Sequence, residues 1–475
     1  MTDINKKSVD NSPEESFLDP ATMDIQWHEY SEKFEDLLND ELDSELIELA
    51  TDISPGDLSE IVRPLSVDDT VKLISLLPRE LASDVLAEID KRSASAFVTL
   101  LDVEEIADIV EEMPSDEATD FLGELEDEKA REILAAMEPE ERQEVTELLK
   151  YEPDSAGGLM AKEFLAVEET ADCLTAVNAL KELDPDDLDE IHYIYTIDEA
   201  GKLLGRIRLV EMLMKPWSTP VADAMERDPH CVEADLDQEM VAQFVRTHDL
   251  VTLPVVDHKG VLLGVISADD VIDVIEEEAT EDYSRLAGTS VAELGETSPL
   301  RIARSRLPWL LAALVGQIGC VLMMKSFEAG LAATVALTFF IPAIMAMGGN
   351  TGIQTSSVVV RGLATGEVDV FHIGKYLLRE LGTALITGGV IAICMYFVAL
   401  FIVGNSQLAL VLTISMLSVI IFAALVGTSI PLILHRVGID PAIATGPFIT
   451  TSNDIAAILI YLTMASLLLS EGVGA

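Results

Sequence analysis

Apolar residues are distributed along this chain in two ways. From about residue 307 onward they form five long stretches, at about 307–326, 331–360, 381–404, 408–434 and 442–469. Each reaches the roughly 20 residues that a helix needs to cross a bilayer. Before residue 300 they are sparser and periodic. Between 40 and 150, Leu and Ile recur at helical spacing, as in Ile106, Ile109 and Val110, and Pro55, Pro64, Pro78, Pro114 and Pro139 punctuate the pattern. Proline followed by acidic residues, as in Pro114-Ser115-Asp116-Glu117 and Pro139-Glu140-Glu141, predicts helix starts. With no alternating strand pattern, this segment predicts a small all-α domain, a superhelix of helical hairpins.

Residues 155–275 carry an internal repeat. Asp198, Gly201, Leu203, Gly205 and Ile207 recur as Asp257, Gly260, Leu262, Gly264 and Ile266, each displaced by 59 residues. Each copy reads as strand, D-x-x-G turn, strand, helix, with the glycine supplying the positive φ of a short hairpin loop. The second copy ends in an acidic helix. Asp270, Asp273, Glu277 and Glu281 fall three and four apart and so share one face, widened by Glu276, Glu278 and Asp282. Like charges at this spacing repel, and a divalent cation would relieve the repulsion; Mg²⁺ prefers oxygen ligands and keeps several waters. A solvated acidic helix, or general acidity as salt adaptation, accounts for the composition equally well.

Charge sharpens the division. Residues 1–300 hold 22 Lys+Arg against 77 Asp+Glu, and residues 301–475 hold 8 against 7. Nearly all of the net −54 therefore lies in the first part. Such a surface repels nucleic acid and anionic membranes and attracts cations. Cys173, Cys231, Cys320 and Cys394 form no CxxC or disulfide-like spacing, which fits a reducing compartment. The first 30 residues are polar and acidic with no apolar core for a signal peptide, and residues 1–35 are expected to be a disordered acidic tail.

In the apolar part, Arg301, Arg304 and Arg306 precede the first span, Arg361, Lys375 and Arg379 lie between the second and third, and His435 and Arg436 between the fourth and fifth. The positive-inside rule then places the N-terminus in the cytoplasm and the C-terminus outside. Two spans contain helix breakers followed by polar residues: Pro342 and the run Gly348 to Ser357 in the second, and Gly446-Pro447 through Asp454 in the fifth. Both are expected to be interrupted helices lining a water-filled path. Asp454 is the one acidic residue well inside a span, and such charges mark ion paths. A structural carboxylate capping a half-helix is the alternative. Asn350, Gln354, Thr450 and Thr451 are weaker candidates, since polar groups also serve as interhelical glue. Gly316, Gly319, Gly388, Gly389 and Gly427 suit close helix packing.

Several motifs carry a resemblance. They are Tyr151 to Met160 (YEPDSAGGLM), Glu278-Ala279-Thr280-Glu281-Asp282, the Gly-Gly-Asn run at 348–350, Val360-Arg361-Gly362-Leu363-Ala364-Thr365, and Asp440-Pro441-Ala442 followed by Asp454. In these, and in domain order, the chain resembles the MgtE family of magnesium channels, and the repeat resembles a tandem pair of CBS domains. The resemblance implies a multidomain membrane protein: an all-α N-terminal superhelical domain, α/β tandem CBS domains and a five-helix α transmembrane domain. Its implied boundaries are a helical N-domain at 36–152, CBS domains at 153–275, a connecting (plug) helix at 276–300 and a transmembrane domain at 301–475. Residues 283–300 are expected to be helical and to lie against the pore entrance.

The resemblance further implies a homodimer in the plasma membrane with a pore on its axis and Asp454 as the ion-selecting carboxylate. It implies Mg²⁺ as both transported and regulatory ion. By residue-to-residue match the sensor would include Asp237, Glu239, Asp249, Asp270, Asp273, Glu278, Glu281 and Asp282. Glu104, Asp108 and the backbone of Gly158 would join at the N-domain, and Asp440 would tie the connecting helix to the pore. The chain departs from the family pattern at Ile353, where relatives often have Asn, and at Thr355-Ser356, where they often have Ser-Ala. Where some relatives use an Arg-Asp pair to bind ATP, it has Val210-Glu211 although Tyr193 is kept, which argues against ATP there. No nucleic-acid or obligatory protein partner is implied. A coupled secondary transporter for Mg²⁺ or another divalent ion such as Co²⁺, and a membrane-anchored sensor without transport, remain open. An enzyme is not indicated: there is no P-loop, HExxH, GxSxG or pump phosphorylation motif, and the 7 His are dispersed.

Overall fold

The computed structural model describes residues 23–40, 42–89, 91–183, 191–293, 298–368, 373–444 and 446–470. Two compact units emerge, Met1–Gln238 with Leu250–Ala268, and Glu239–Asp249 with Asp269–Ala475.

The first unit begins with short helices running from Met23–Asn39 to Pro139–Leu148. Their starts follow the local chemistry. Ser54 accepts from the Asp57 backbone N–H ahead of Pro55, and Ser66 accepts from that of Asp69. The helical stripes converge on one core that includes Leu58, Ile61, Leu73, Leu86, Phe97, Ile106, Leu122 and Ile133. The expected tail needs correction. Residues 23–35 are not a disordered end but lie in the helix Met23–Asn39, because Phe34 and Leu38 are buried in that core and Trp27 packs against it. Residues 1–22 of that tail lie outside the described residues.

Two small sheets follow. In the first, β1 (Leu165–Glu168), β2 (Tyr193–Ile197), β3 (Leu203–Arg208) and β4 (Glu226–Arg227) lie in that order, β1 parallel to β2 and the rest antiparallel. In the second, β5 (Val232–Glu233), β6 (Thr252–Val256) and β7 (Leu262–Ser267) repeat the arrangement. The repeated D-x-x-G turns fold alike. Asp198 accepts from the N–H groups of Ala200 and Lys202, and Asp257 from those of Lys259 and Val261, while Gly201 and Gly260 take φ of 79° and 84°. The two turns also pair with each other, Leu203 N–H donating to the Gly260 carbonyl and Leu262 N–H to that of Gly201. Tandem CBS-like repeats thus meet through the residues that made the repeat visible.

The second unit holds most of the helix Gln238–His248, the acidic helix Ala268–Ala287 and five long helices. The latter are span one (Pro299–Ser326), span two (Val335–Ala364), span three (Ile373–Val403), span four (Ser406–Val437) and span five (Gly446–Leu469). Their large apolar side chains are widely exposed, Leu310, Val315, Val321, Ile386 and Phe401 among them, as a lipid-facing surface requires. Asn405 caps span four through Gln407 and Leu408, and Gly438, at φ 78°, ends it. Tyr461 of span five donates to the Leu337 carbonyl at the start of span two, 2.8 Å away.

Two expectations about helix continuity are overturned. Spans two and five are not interrupted at their polar runs: the α-helix Ile341–Ala364 passes unbroken through Gly348–Ser357, and Gly446–Ser470 passes through Asp454. Pro342 lies in the first helical turn, where a missing N–H costs nothing, and Pro447 follows Gly446, which starts its helix at φ 48°. The glycines serve close approach instead. A Cβ on Gly352 would collide with the Asn453 amide, and one on Gly427 would stand 2.7 Å from the Gly352 carbonyl oxygen. The other correction concerns 283–300. The acidic helix runs without a break through residue 276 but stops at Ala287, where Gly288 takes φ 70°; a 3-10 turn follows at Val291–Glu293.

Candidate functional site

Asp454 sits in span five, 7 % exposed, in the interior of the helical bundle. Its Oδ2 accepts a hydrogen bond from Gln317 Nε2 of span one at 2.7 Å. Span two passes it at Gly349, where a Cβ would lie 3.8 Å from Asp454 Oδ1 and 3.6 Å from Thr450 Cγ2. The carboxylate is therefore held between one amide donor and a helix backbone with no side chain in front of it. Thr450 Oγ1 donates to the Gly446 carbonyl, and the Thr451 methyl packs onto Gly316 of span one. Of the expected path residues, the structure gathers Asp454 and Thr450 at Gly349. Asn350 and Gln354 lie one turn apart on an exposed face of span two, together with Ile353.

Gln317 and Asn453 were not singled out from the sequence. Gln317 was legible as the one strongly polar side chain between Trp309 and Met324 of span one. Asn453 is 1 % exposed, and neither polar atom of its amide has a partner.

A second constellation lies where the acidic helix ends. Arg285 pairs with Glu281 one turn back and with Asp440 in the segment between spans four and five. The other oxygen of Asp440 accepts from the Ala442 N–H at 2.7 Å. Asp282 feels this crowding: burial first, then repulsion from Asp440 and Glu278, push its carboxyl up to about 6, with Arg285 pulling the other way. The backbone closes in alongside. Gly446 has no room for a Cβ against the Leu286 carbonyl, and a Cβ on Gly288 would stand 2.9 Å from Pro447 Cγ. The end of the acidic helix thus abuts the first turn of the span that carries Asp454.

The remaining expected sensor residues fall on several elements of the two units. Asp270 and Asp273 are on the same helix, farther from Asp440 in sequence, and Glu239 and Asp249 lie at either end of the helix Gln238–His248, Asp249 at φ 51°. That helix reaches the segment after span two, Arg246 donating to the Thr365 carbonyl at 2.8 Å. In the first unit, Asp237 bridges Ser155, whose carbonyl also accepts from Gly158 N–H. Glu104 and Asp108 lie on the helix Val103–Val110, where Asp108 is paired with Arg79. Among the described residues, no three His, Cys, Asp or Glu side chains converge closely enough to hold a metal ion.

The family models match in the same order as the structural segments. The MgtE intracellular N domain matches residues 53–154, a CBS domain residues 221–277, and the divalent cation transporter domain MgtE residues 341–464. The magnesium transporter MgtE of Thermus thermophilus is 36 % identical over 324 residues, 68 % of this chain and 72 % of that protein. That of Enterococcus faecalis is 36 % identical over 321 residues, 68 % and 70 %.

The chain belongs to the MgtE family.

An ATP-bound crystal structure of the cytosolic domain of the Mg²⁺ channel MgtE is 31 % identical, covering 51 % of this chain and 99 % of that one at a TM-score of 0.49. MgtE proteins are magnesium transporters rather than enzymes, and among the described residues here five helices are long and apolar enough to cross a membrane. The all-α N-domain, the CBS-type α/β part and the five-helix α part are all present.

Proposed function

We propose that this protein is a Mg²⁺ channel of the plasma membrane that admits Mg²⁺ past Asp454 and closes when cytoplasmic Mg²⁺ is abundant. The observation that carries the conduction half is the buried carboxylate of Asp454 facing the bare backbone of Gly349, oriented by Gln317. A carboxylate inside a bilayer is costly and is kept where it serves an ion. Mg²⁺ releases its waters reluctantly, so a carboxylate contact through those waters suits it. Asn350 and Gln354, exposed on one protomer, would face the same path if two copies pack about a common axis, with Thr450 and Thr451 flanking it. The Arg-rich segments next to spans one, two and four support a cytoplasmic N-terminus and an external C-terminus.

The gating half is supported by the acidic helix. Glu278, Glu281, Asp282 and Asp440 repel one another at the entrance to span five, a repulsion that helps to raise Asp282. Divalent charge placed among them removes that repulsion and favours the arrangement in which the helix end is drawn against the span. One protomer gathers no three-carboxylate ligand set among its described residues, so the reading requires donors from a second copy or from Asp237, Glu239, Asp249, Asp270, Asp273, Gly158, Glu104 and Asp108 to complete it. The closed arrangement must bind the ion better than the open one, or nothing shifts. Val210 and Glu211, where some relatives have an Arg-Asp pair, argue against ATP regulation, and the scheme does not depend on it.

The deciding experiment is Mg²⁺ uptake into liposomes loaded with a Mg²⁺-sensitive dye, without any coupling ion. Wild type is expected to conduct down the Mg²⁺ gradient alone, and Asp454→Asn to lose at least about tenfold in rate. Uptake that requires an H⁺ or Na⁺ gradient would replace the channel with a coupled transporter; equal uptake by both proteins would move the ion path away from Asp454.

A further inference from the structure

The carboxylates that the proposed gate needs already have a cation, and it is part of the chain. Arg285 reaches Glu281 with one guanidinium nitrogen and Asp440 with the other. It is about one-third exposed, as are its partners, so water and ions reach it. Both oxygens of Asp440 are engaged, one by Arg285 and the other by the Ala442 N–H. A guanidinium fork satisfies two carboxylates with fixed geometry and never deprotonates.

We propose that Arg285 is the gate's internal counter-cation, occupying Glu281 and Asp440 until a divalent ion displaces it. This rests on the proposed gating and specifies what sets its threshold. A divalent ion that takes Asp440 must break the Arg285 pair, so the free energy of that pair is subtracted from ion binding. The displaced guanidinium then has to leave the junction where Leu286 and Gly288 abut Gly446 and Pro447. Arg285 therefore neutralises part of the acidic junction at low Mg²⁺ and desensitises it to Mg²⁺. A partly exposed ion pair is a modest competitor, which suits an ion present at millimolar rather than micromolar levels.

The test uses the full-length protein in detergent and reads protease cleavage within residues 275–300 as Mg²⁺ is titrated, so transport is not the readout. Arg285→Gln is expected to lower the Mg²⁺ concentration for half-protection by roughly 2- to 10-fold, and Arg285→Lys to change it less. In an Asp440→Asn background, Arg285→Gln is expected to shift the midpoint less than it does in wild type, because only the Glu281 half of the pair is left to displace. A midpoint that is unchanged or higher in Arg285→Gln, in a protein of wild-type thermal stability, overturns the proposal. If Arg285→Gln melts early, the comparison passes to Arg285→Lys and Asp440→Asn, and additive shifts in their double variant overturn it. Absence of any Mg²⁺-dependent protection in wild type overturns the gating itself, a distinguishable failure.

Discussion

A single carboxylate carries the conduction argument, and its neighbours decide what it can do. Gln317 is the donor that fixes Asp454, at 2.7 Å. Hydrogen bonds to charged groups contribute about 1.5–3 kcal/mol, so Gln317→Leu, which takes the donor from a buried carboxylate, is expected to lower the melting temperature and to cut liposome Mg²⁺ uptake by the folded protein on the order of tenfold. Uptake unaffected by this change would mean that another group orients the carboxylate. Asp454 stood out in the sequence because an acidic residue inside an apolar stretch is costly and rare. Gln317 could be picked out as a polar residue of span one but not as the partner of Asp454, since sequence does not say which face of span one meets span five. The same limit applies to Arg285 and Asp440, 155 residues apart, and to Arg79 and Asp108. Charge pairs between elements depend on packing, whereas the pair Glu281–Arg285 is an i,i+4 neighbour readable from spacing alone.

At the scale of elements, the long apolar stretches located the five spans, although the helices of spans one and three begin eight residues earlier than those stretches, and the 59-residue repeat located both hairpins. The glycine and proline signals misled, because the same residues that break a helix also permit two helices to touch. In span two the glycines did the second job. Gly427 approaches the Gly352 carbonyl so closely that a methyl group there must push two helices apart, whereas a methyl group on Gly389 in span three would meet nothing within 4 Å. Gly427→Ala is therefore expected to destabilise by about 1–3 kcal/mol through overpacking. Gly389→Ala should be neutral or stabilising by up to about 1 kcal/mol, because alanine is the better helix former. Thermal unfolding of the two variants in detergent, followed by size-exclusion chromatography, checks this; equal melting temperatures would show that the helices can separate to make room.

Across the whole molecule, the asymmetry of charge is the feature that composition displayed first and that local structure explains least. Of 84 acidic residues, 77 precede residue 301, where only 22 Lys and Arg stand against them, so most have no basic side chain to pair with. What the excess does depends on reach. At about 0.1 M salt the Debye length is roughly 10 Å, so carboxylates scattered over a surface still act together on a nearby cation, while at about 1 M it is roughly 3 Å and they do not. A sensor built on one compact ligand set would scarcely notice the difference, because contact distances are shorter than either screening length. A sensor built on diffuse acidity would lose affinity steadily. The absence of a three-carboxylate cluster among the described residues of one protomer favours the second case. Raising KCl from about 0.05 to about 0.5 M is therefore expected to increase the Mg²⁺ needed for half-protection of residues 275–300 by at least roughly threefold, at constant temperature and pH. A midpoint independent of salt would place the whole response in a short-range site and leave the acidic surface as a solubility feature.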